Sequence, residues 1–371
     1  MKILFAGGGT AGHIFPIIAI MRQIKKNYPQ AGFEFFYLGP RDSFTKDISI
    51  KEGMKANFIT AGKYRRYFSL LNFIDFFKIP ISIIQAFYYV FVISPDLVFS
   101  KGGYGSIPTI IAAKILMVPI FIHESDVVPG VANRFASKSA LEVFISFSIK
   151  ETEFFPAKKM LSVGNPIRKS VINGSRDEAR KIFKLAKGKP VLLVLGGSQG
   201  SEKINDTFLV VLPELLKDFE IIHQTGVKNF DTVSKESKVV IPKNLRPYYH
   251  PIAFMNDKQL ASAYAIADLV ISRSGSGSIF EIAANGKPSV LIPLANAAQN
   301  HQVRNAYTYA ERGTALVIEE NNFKPYFIMS RIRNLFSKPE KLREMSKRAE
   351  DFARPNAASI ISEYLVTYLT Q

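Results

Sequence analysis

Small-residue turns followed by a carboxylate, an imidazole or clustered amides are where this chain could do chemistry. The stretch SRSGSGSIFEIAANG (272–286) opens a helix on Ser274 to Ser278 and places Glu281 within about a turn of its start. Backbone N–H groups at a helix start, with the dipole behind them, favour an anion such as a diphosphate. A carboxylate just inside that helix can accept hydrogen bonds from vicinal hydroxyls, as on a ribose. LGGSQGSEKIND offers Gly196, Gly197, Ser198 and Gly200 in a similar turn, where the Ser198 hydroxyl can donate to a phosphate or cap the helix. ILFAGGGTAGHIFPI (3–17) ends its glycines, Gly7, Gly9 and Gly12, on His13, an imidazole able to act as a base near neutral pH or to hold a phosphate. ANAAQNHQVRNA gathers Gln299, Asn300, His301, Gln302 and Asn305, groups suited to sugar hydroxyls. Each has a plainer alternative: a helix cap, a dipole-compensating glutamate, a packing histidine, a polar loop.

Several chemistries are excluded or disfavoured. Gly7, Gly9 and Gly12 fit the letters of a dinucleotide fingerprint, which wants an acidic residue ~20 positions on at the end of the second strand. That strand, FEFFYLGPRDS, ends in Leu38, Gly39 and Pro40, with Glu34 inside it and Asp42 beyond the turn. No Gly-Lys-Ser/Thr follows Gly200, so triphosphate hydrolysis is not expected. There is no Asp-x-Asp pair, no His-Glu-x-x-His and no cysteine. Neither a protein-held metal nor a resident cofactor is expected, and helix dipoles and cationic side chains must carry the charge of a leaving group. SKGGYGSIP and IHESDVVPGVANRF add Tyr104, His123, Glu124, Asp126 and Asn133, each after an apolar run.

The elements that position these residues follow from the hydrophobic pattern. Apolar runs such as KILFAG, FEFFYLG, DLVFSKGG, PIFIHES and LEVFISF alternate with stretches of helical length, which reads as strand–helix–strand units and parallel sheets. After Pro166 the plan restarts with KPVLLVLGGSQGSEKIND. A chain of 371 residues allows two or three domains at ~150 residues each. The pattern predicts an α/β fold: two Rossmann-like doubly wound parallel-sheet domains facing a cleft, over 1–165 and 166–354, with 355–371 packing back on the first. The amino terminus reads as a first strand and not a signal peptide. The apolar segment 79–94 falls short of the ~20 residues of a bilayer span, so no transmembrane helix is expected. Lys and Arg number 48 against 31 Asp and Glu, a net charge of +17, which implies an anionic partner: nucleic acid, a membrane surface or a phosphorylated substrate.

GGGTAGHIFP, KGGYGSIP, HESDVVPGVANRF, VGNPIR, LGGSQGSEKIN, HQTG and SRSGSGSIFEIAANGKPSVLIPL…HQVRNA occur in an order and spacing that resemble the MurG family of GT-B-fold glycosyltransferases of peptidoglycan synthesis. The resemblance implies inverting transfer of N-acetylglucosamine from UDP-N-acetylglucosamine to the 4-hydroxyl of the muramyl sugar of lipid I, giving lipid II without a required metal. It implies a donor site in the second half. There Glu281 takes the ribose, Ser198, Arg168 and Ser276-Gly277-Ser278 the diphosphate, backbone near Met255 the uracil, and Gln302 and Asn305 the sugar. Thr10, Ala11 and Gly12 close over the donor. His13 becomes the base or an acceptor-pyrophosphate contact, with Tyr104, Glu124 and Asn133 on the acceptor side.

The chain departs from the family pattern at Ala11, usually Gly, at Ser276-Gly277, and at Ser125-Asp126, where the family usually reads Gln-Asn. Asp126 is therefore either a changed donor-sugar contact or, beside Glu124, a further candidate base. The acceptor implies peripheral attachment at the cytoplasmic face of the bacterial inner membrane and no nucleic-acid partner. Lys63, Arg65, Arg66 and Lys78, interleaved with Phe68, Phe73, Phe76 and other aromatics, suit a headgroup boundary over 63–79. Residues 81–93 read as a buried core helix. The alternatives are a nonhydrolysing UDP-sugar epimerase, another lipid glycosyltransferase of this fold, and a nucleic-acid-binding protein suggested by charge alone.

Overall fold

The structure, a computed structural model, describes residues 1–8, 11–61, 70–152, 154–186, 188–197 and 200–371. Thr10, Arg65, Arg66, Phe68 and Ser198 lie outside the described residues, as do the side chains of Ala11 and Phe76. The chain forms two compact units, Met1–Arg168 with Pro355–Gln371, and Lys169–Arg354.

In the first unit the strands are β1 (Lys2–Ala6), β2 (Glu34–Pro40), β3 (Lys55–Ile59), β4 (Leu97–Ser100), β5 (Ile120–Glu124), β6 (Glu142–Ile145) and β7 (Met160–Ser162). They form one parallel sheet in the order β3-β2-β1-β4-β5-β6-β7. In the second unit they are β8 (Val191–Leu195), β9 (Glu220–Gln224), β10 (Tyr249–Ile252), β11 (Leu269–Ser272), β12 (Ser289–Leu291) and β13 (Ala315–Val317). These are parallel in the order β10-β9-β8-β11-β12-β13. Each unit is thus a doubly wound α/β sheet, as the alternation predicts.

Covering helices explain why the strands are apolar along their whole length and not at every second residue. On one face of the first sheet, Phe5, Tyr37, Phe99, Phe121 and Phe144 pack against the helices Ala11–Asn27 and Ala357–Thr370. The closing helix is held by edge-to-face contacts of Tyr364 and Tyr368 on Phe121 and by a hydrogen bond from Ser362 Oγ to the Ile20 carbonyl, 3.1 Å. On the other face, Leu4, Val98, Ile122 and Val143 share a core with Ala86, Val90 and Ile110, from the helices Leu70–Ile93 and Ile107–Ile115.

Helix Leu70–Ile93 corrects one expectation. Residues 81–93 are not a buried core helix: Ser82, Ala86, Val90 and Ile93 face inward, while Ile84 is 70% exposed, Tyr88 60% and Phe91 66%. With Ile81 these form an outward stripe at helical spacing. Because the segment is apolar on all sides, hydropathy could not tell which stripe the sheet covers. Among the described residues, no helix is long and apolar enough to cross a membrane.

Candidate functional site

In both sheets the strand order reverses between two neighbouring strands, β1 with β4 and β8 with β11. At such a reversal the connections leave towards opposite faces, and the turns at the carboxyl ends flank a crevice suited to ligands. Turns singled out from sequence after β1, β4, β8 and β11 lie at these two places, and those after β5 and β12 follow the next strand in each sheet.

In the second unit, β11 leads through Arg273–Gly275 into the helix Ser276–Ala284, capped by Gly275 without a side-chain hydrogen bond. Ser276 Oγ is buried at this helix start with no hydrogen-bond partner among the described residues. Glu281 is half-buried one face further along, with the Tyr264 hydroxyl donating to its Oε2 at 3.4 Å. Arg273 ties the two turns together. Its guanidinium donates to Ser201 Oγ (2.8 Å), which caps the helix Glu202–Asp218, to the Ile292 carbonyl (3.2 Å) and to Glu320. That pairing outweighs burial and holds the Glu320 carboxyl below its ordinary range.

Gly200 comes close to the end of β9: with its φ of +81°, an added Cβ would stand 2.3 Å from the Thr225 carbonyl oxygen. Gln224, at the end of β9, donates to the Gly197 carbonyl (3.3 Å) and accepts from the Met255 N–H (3.0 Å). That N–H is therefore committed. Gln302 accepts from the Leu294 N–H through Oε1 (3.1 Å), so a sugar hydroxyl would meet its amide nitrogen. Asn305 is fully buried and donates to the Ser274 carbonyl at 3.5 Å, supporting the turn. Just before them, Gln299 and Asn300 both adopt left-handed backbone, φ 56° and 52°, a strained pair of the kind that gathers at ligand clamps.

In the first unit, Gly12 and His13 open the helix Ala11–Asn27. The His13 imidazole is lodged between two glycines, since a Cβ on Gly8 would come within 3.3 Å of the ring and one on Gly103 within 3.1 Å. Arg168 also belongs to this unit, its guanidinium stacked 3.8 Å from the centroid of Phe15. Tyr104 is exposed on the short turn after β4.

At the end of β5, Glu124 accepts from the N–H groups of Asp126 (3.0 Å) and Gly130 (3.1 Å) and from Asn133 Nδ2 (2.9 Å). Burial, and next the charge of Asp126, push its carboxyl above the ordinary range. Glu124 thereby closes the loop 125–130. Asn133, buried, also donates to the His123 carbonyl at 3.1 Å. His123 is fully buried against the Gly164 carbonyl (3.0 Å), and burial, with the Lys101 charge behind it, keeps its pKa well below normal.

Residues 3–145 match the glycosyltransferase family 28 N-terminal domain, and residues 191–361 its C-terminal domain. A Lachnospira eligens protein named UDP-N-acetylglucosamine–N-acetylmuramyl-(pentapeptide) pyrophosphoryl-undecaprenol N-acetylglucosamine transferase is 36% identical over 91% of this chain and 91% of its own. The chain belongs to glycosyltransferase family 28. A Clostridium botulinum family 28 relative with the same name is 34% identical over 98% of this chain and 99% of its own. The crystal structure of Acinetobacter baumannii MurG matches with a TM-score of 0.74 at 24% identity, covering 99% of each chain. A Neisseria meningitidis UDP-GlcNAc 2-epimerase bound to UDP-GlcNAc matches with 0.67 at 15%, covering 99% of this chain and 100% of its own. These structural likenesses establish the GT-B architecture of this family 28 chain.

Sequence reasoning missed Lys101, which directly follows β4 and is 3% exposed. Its ammonium donates to Ser125 Oγ, and that hydroxyl donates to Asn165 Oδ1 at 3.3 Å. Burial lowers the Lys101 pKa to about 8, opposed by the charges of Glu124 and Asp126. A lysine immediately after a strand, ahead of Gly102-Gly103, was the available signal. Arg273 was missed in the same way.

The lowered pKa has a consequence for stability. Below pH 8 Lys101 is charged in both folded and unfolded chains. Between pH 8 and about 10.5 the unfolded chain holds the proton and the folded chain does not, so stability rises with pH. We predict that wild type gains on the order of 3 kcal/mol over Lys101→Met across that window. Denaturant titrations at stepped pH measure it, and parallel curves for the two proteins would contradict it.

Proposed function

We propose that the protein transfers N-acetylglucosamine from UDP-N-acetylglucosamine to the 4-hydroxyl of the muramyl sugar of lipid I, forming lipid II. The observation that carries this reading is the helix starting at Ser276: a buried hydroxyl without a partner and open N–H groups, with the Glu281 carboxylate on the same helix. The names of family 28 relatives of matching length support the same reaction.

In this reading the second unit holds the donor. Ser276, Gly277, Ser278 and Ser198 take the diphosphate, Glu281 the ribose hydroxyls, the loop of Met255 the uracil and Gln302 the sugar, while Asn305 sets the turn. The acceptor hydroxyl oxygen attacks the anomeric carbon, the bond from that carbon to the β-phosphate oxygen breaks, and UDP leaves with the electron pair. Direct displacement inverts configuration. Helix N–H groups and Arg168 stabilise the departing charge. Thr10, Ala11 and Gly12 are counted with the donor residues in this reading. Tyr104 and Asn133 serve the acceptor side, Asn133 by fixing the loop of Glu124. Of the candidate bases, Glu124 is committed to that loop, which leaves His13 and Asp126 for the acceptor proton.

Radiolabelled UDP-N-acetylglucosamine incubated with a lipid I analogue tests the reaction. Wild type should label the lipid, and Glu281→Ala should raise KM for the donor on the order of 10-fold or more, the loss of a charged hydrogen-bond pair. No transfer by wild type, or an unchanged KM in the variant, defeats the assignment. Epimerised nucleotide without acceptor would favour the epimerase reading instead.

In this reading the net charge of +17 serves lipid head groups and not nucleic acid, and the enzyme works peripherally at the cytoplasmic face of the bacterial inner membrane. The outward stripe Ile81, Ile84, Tyr88 and Phe91 supports this, continuing the basic–aromatic segment 63–79. Each basic residue near an anionic surface contributes on the order of 1 kcal/mol. Flotation with anionic vesicles should fall when Arg65, Arg66, Phe68 and Phe76 become Ser, and again with Ile84→Ser and Phe91→Ser. Flotation unchanged by both sets counts against membrane docking here.

A further inference from the structure

We propose that Lys101 is a positioning residue for the transfer step, holding the Ser125–Asp126 corner at the end of β5 from the adjoining end of β4. The proposal rests on the reading that Asp126 serves the transferred sugar or the acceptor proton.

β4 and β5 are paired with Ser100 opposite Ile122, so the residues just past their ends are neighbours. Lys101 grips the Ser125 hydroxyl, which in turn reaches Asn165, itself 1% exposed. The corner is thus tied on one side to the turn at Asn165. On the other, the Asp126 N–H is held by Glu124 Oε1. Where the family pattern has amides, this chain carries a hydroxyl and a second carboxylate beside Glu124. Two carboxylates in a half-buried corner repel, and a buried ammonium alone is costly; together they compensate. The charged or titratable groups around the ammonium are Glu124 and His123 on β5 and Asp126 on the following loop. His13 lies across Gly7, where an added Cβ would meet the His13 Cβ at 3.5 Å and the Lys101 Cβ at 3.9 Å. Fully buried, Lys101 acts through the corner it holds and touches no substrate.

The test compares full-length wild type with Lys101→Met, Lys101→Arg, Asp126→Asn and the double variant Lys101→Met/Asp126→Asn. Lys101→Met should lower kcat on the order of 100-fold, as for a misplaced reacting group, with UDP affinity unchanged, since UDP carries neither the transferred sugar nor the acceptor. It should move the acid limb of the kcat/KM profile to higher pH, since the carboxylates lose their cation. Lys101→Arg should recover part of kcat. In thermal unfolding at pH 7 the two substitutions should be non-additive, the double variant melting no lower than Lys101→Met alone. If Lys101→Met does not fold, Ser125→Ala keeps the lysine, removes its acceptor and should show the same kcat loss. Additive melting, or kcat within about 2-fold of wild type in Lys101→Met and Ser125→Ala, overturns the proposal. Absence of transfer by wild type would refute the transferase reading, while the melting cycle would still decide the pairing.

Discussion

Neighbouring parallel strands whose connections leave in opposite directions cannot fill the space beyond their carboxyl ends, and that constraint organises both halves of this protein. β1 and β4 in one unit, β8 and β11 in the other, meet at such a reversal. The turns after them must run close to adjacent strand ends without side chains in the way. At Gly200 a methyl group would collide with the Thr225 carbonyl, and at Gly8 and Gly103 it would crowd the His13 ring. The glycines are therefore a packing requirement first, and backbone N–H groups suited to an anion follow from it.

The same geometry is used for different electrostatics in the two units. In the second, the dipole and N–H groups supply the positive end at the start of the helix Ser276–Ala284, and Arg273 joins the turns through Ser201 and Glu320. The first unit buries real charges instead: Lys101 and Glu124 lie at the ends of adjacent strands, with Asp126 beside them. Burial raises the carboxyl pKa and lowers the lysine pKa, and each opposes the shift of the other.

How much of this was legible in the sequence depends on the range of the interactions. The alternation of strands and helices was, because fully apolar strands between helical stretches are a local pattern. So were the turns at Gly7, Gly196 and Ser274, because glycine and serine mark backbone demands where they stand. Pairings across strands were not. Nothing near Lys101 in the sequence announces Ser125 or Asn165, and Gln224 gave no sign of committing the Met255 N–H. Glu124 and Asn133 were legible as polar residues after a strand, but not as partners closing one loop. The exposed stripe of Ile84, Tyr88 and Phe91 was hidden for another reason: a helix apolar all round does not say which side the sheet covers.

The central claim is that the helix beginning at Ser276 receives the diphosphate while Glu281 holds the pentose of the same nucleotide. A crystal grown with UDP measures this directly. The account predicts phosphate oxygens within hydrogen-bond distance of the Ser276–Ser278 N–H groups and Ser276 Oγ, and ribose hydroxyls on the Glu281 carboxylate. Nucleotide bound at the first unit's turn, or absent from both turns at saturating UDP, would contradict it.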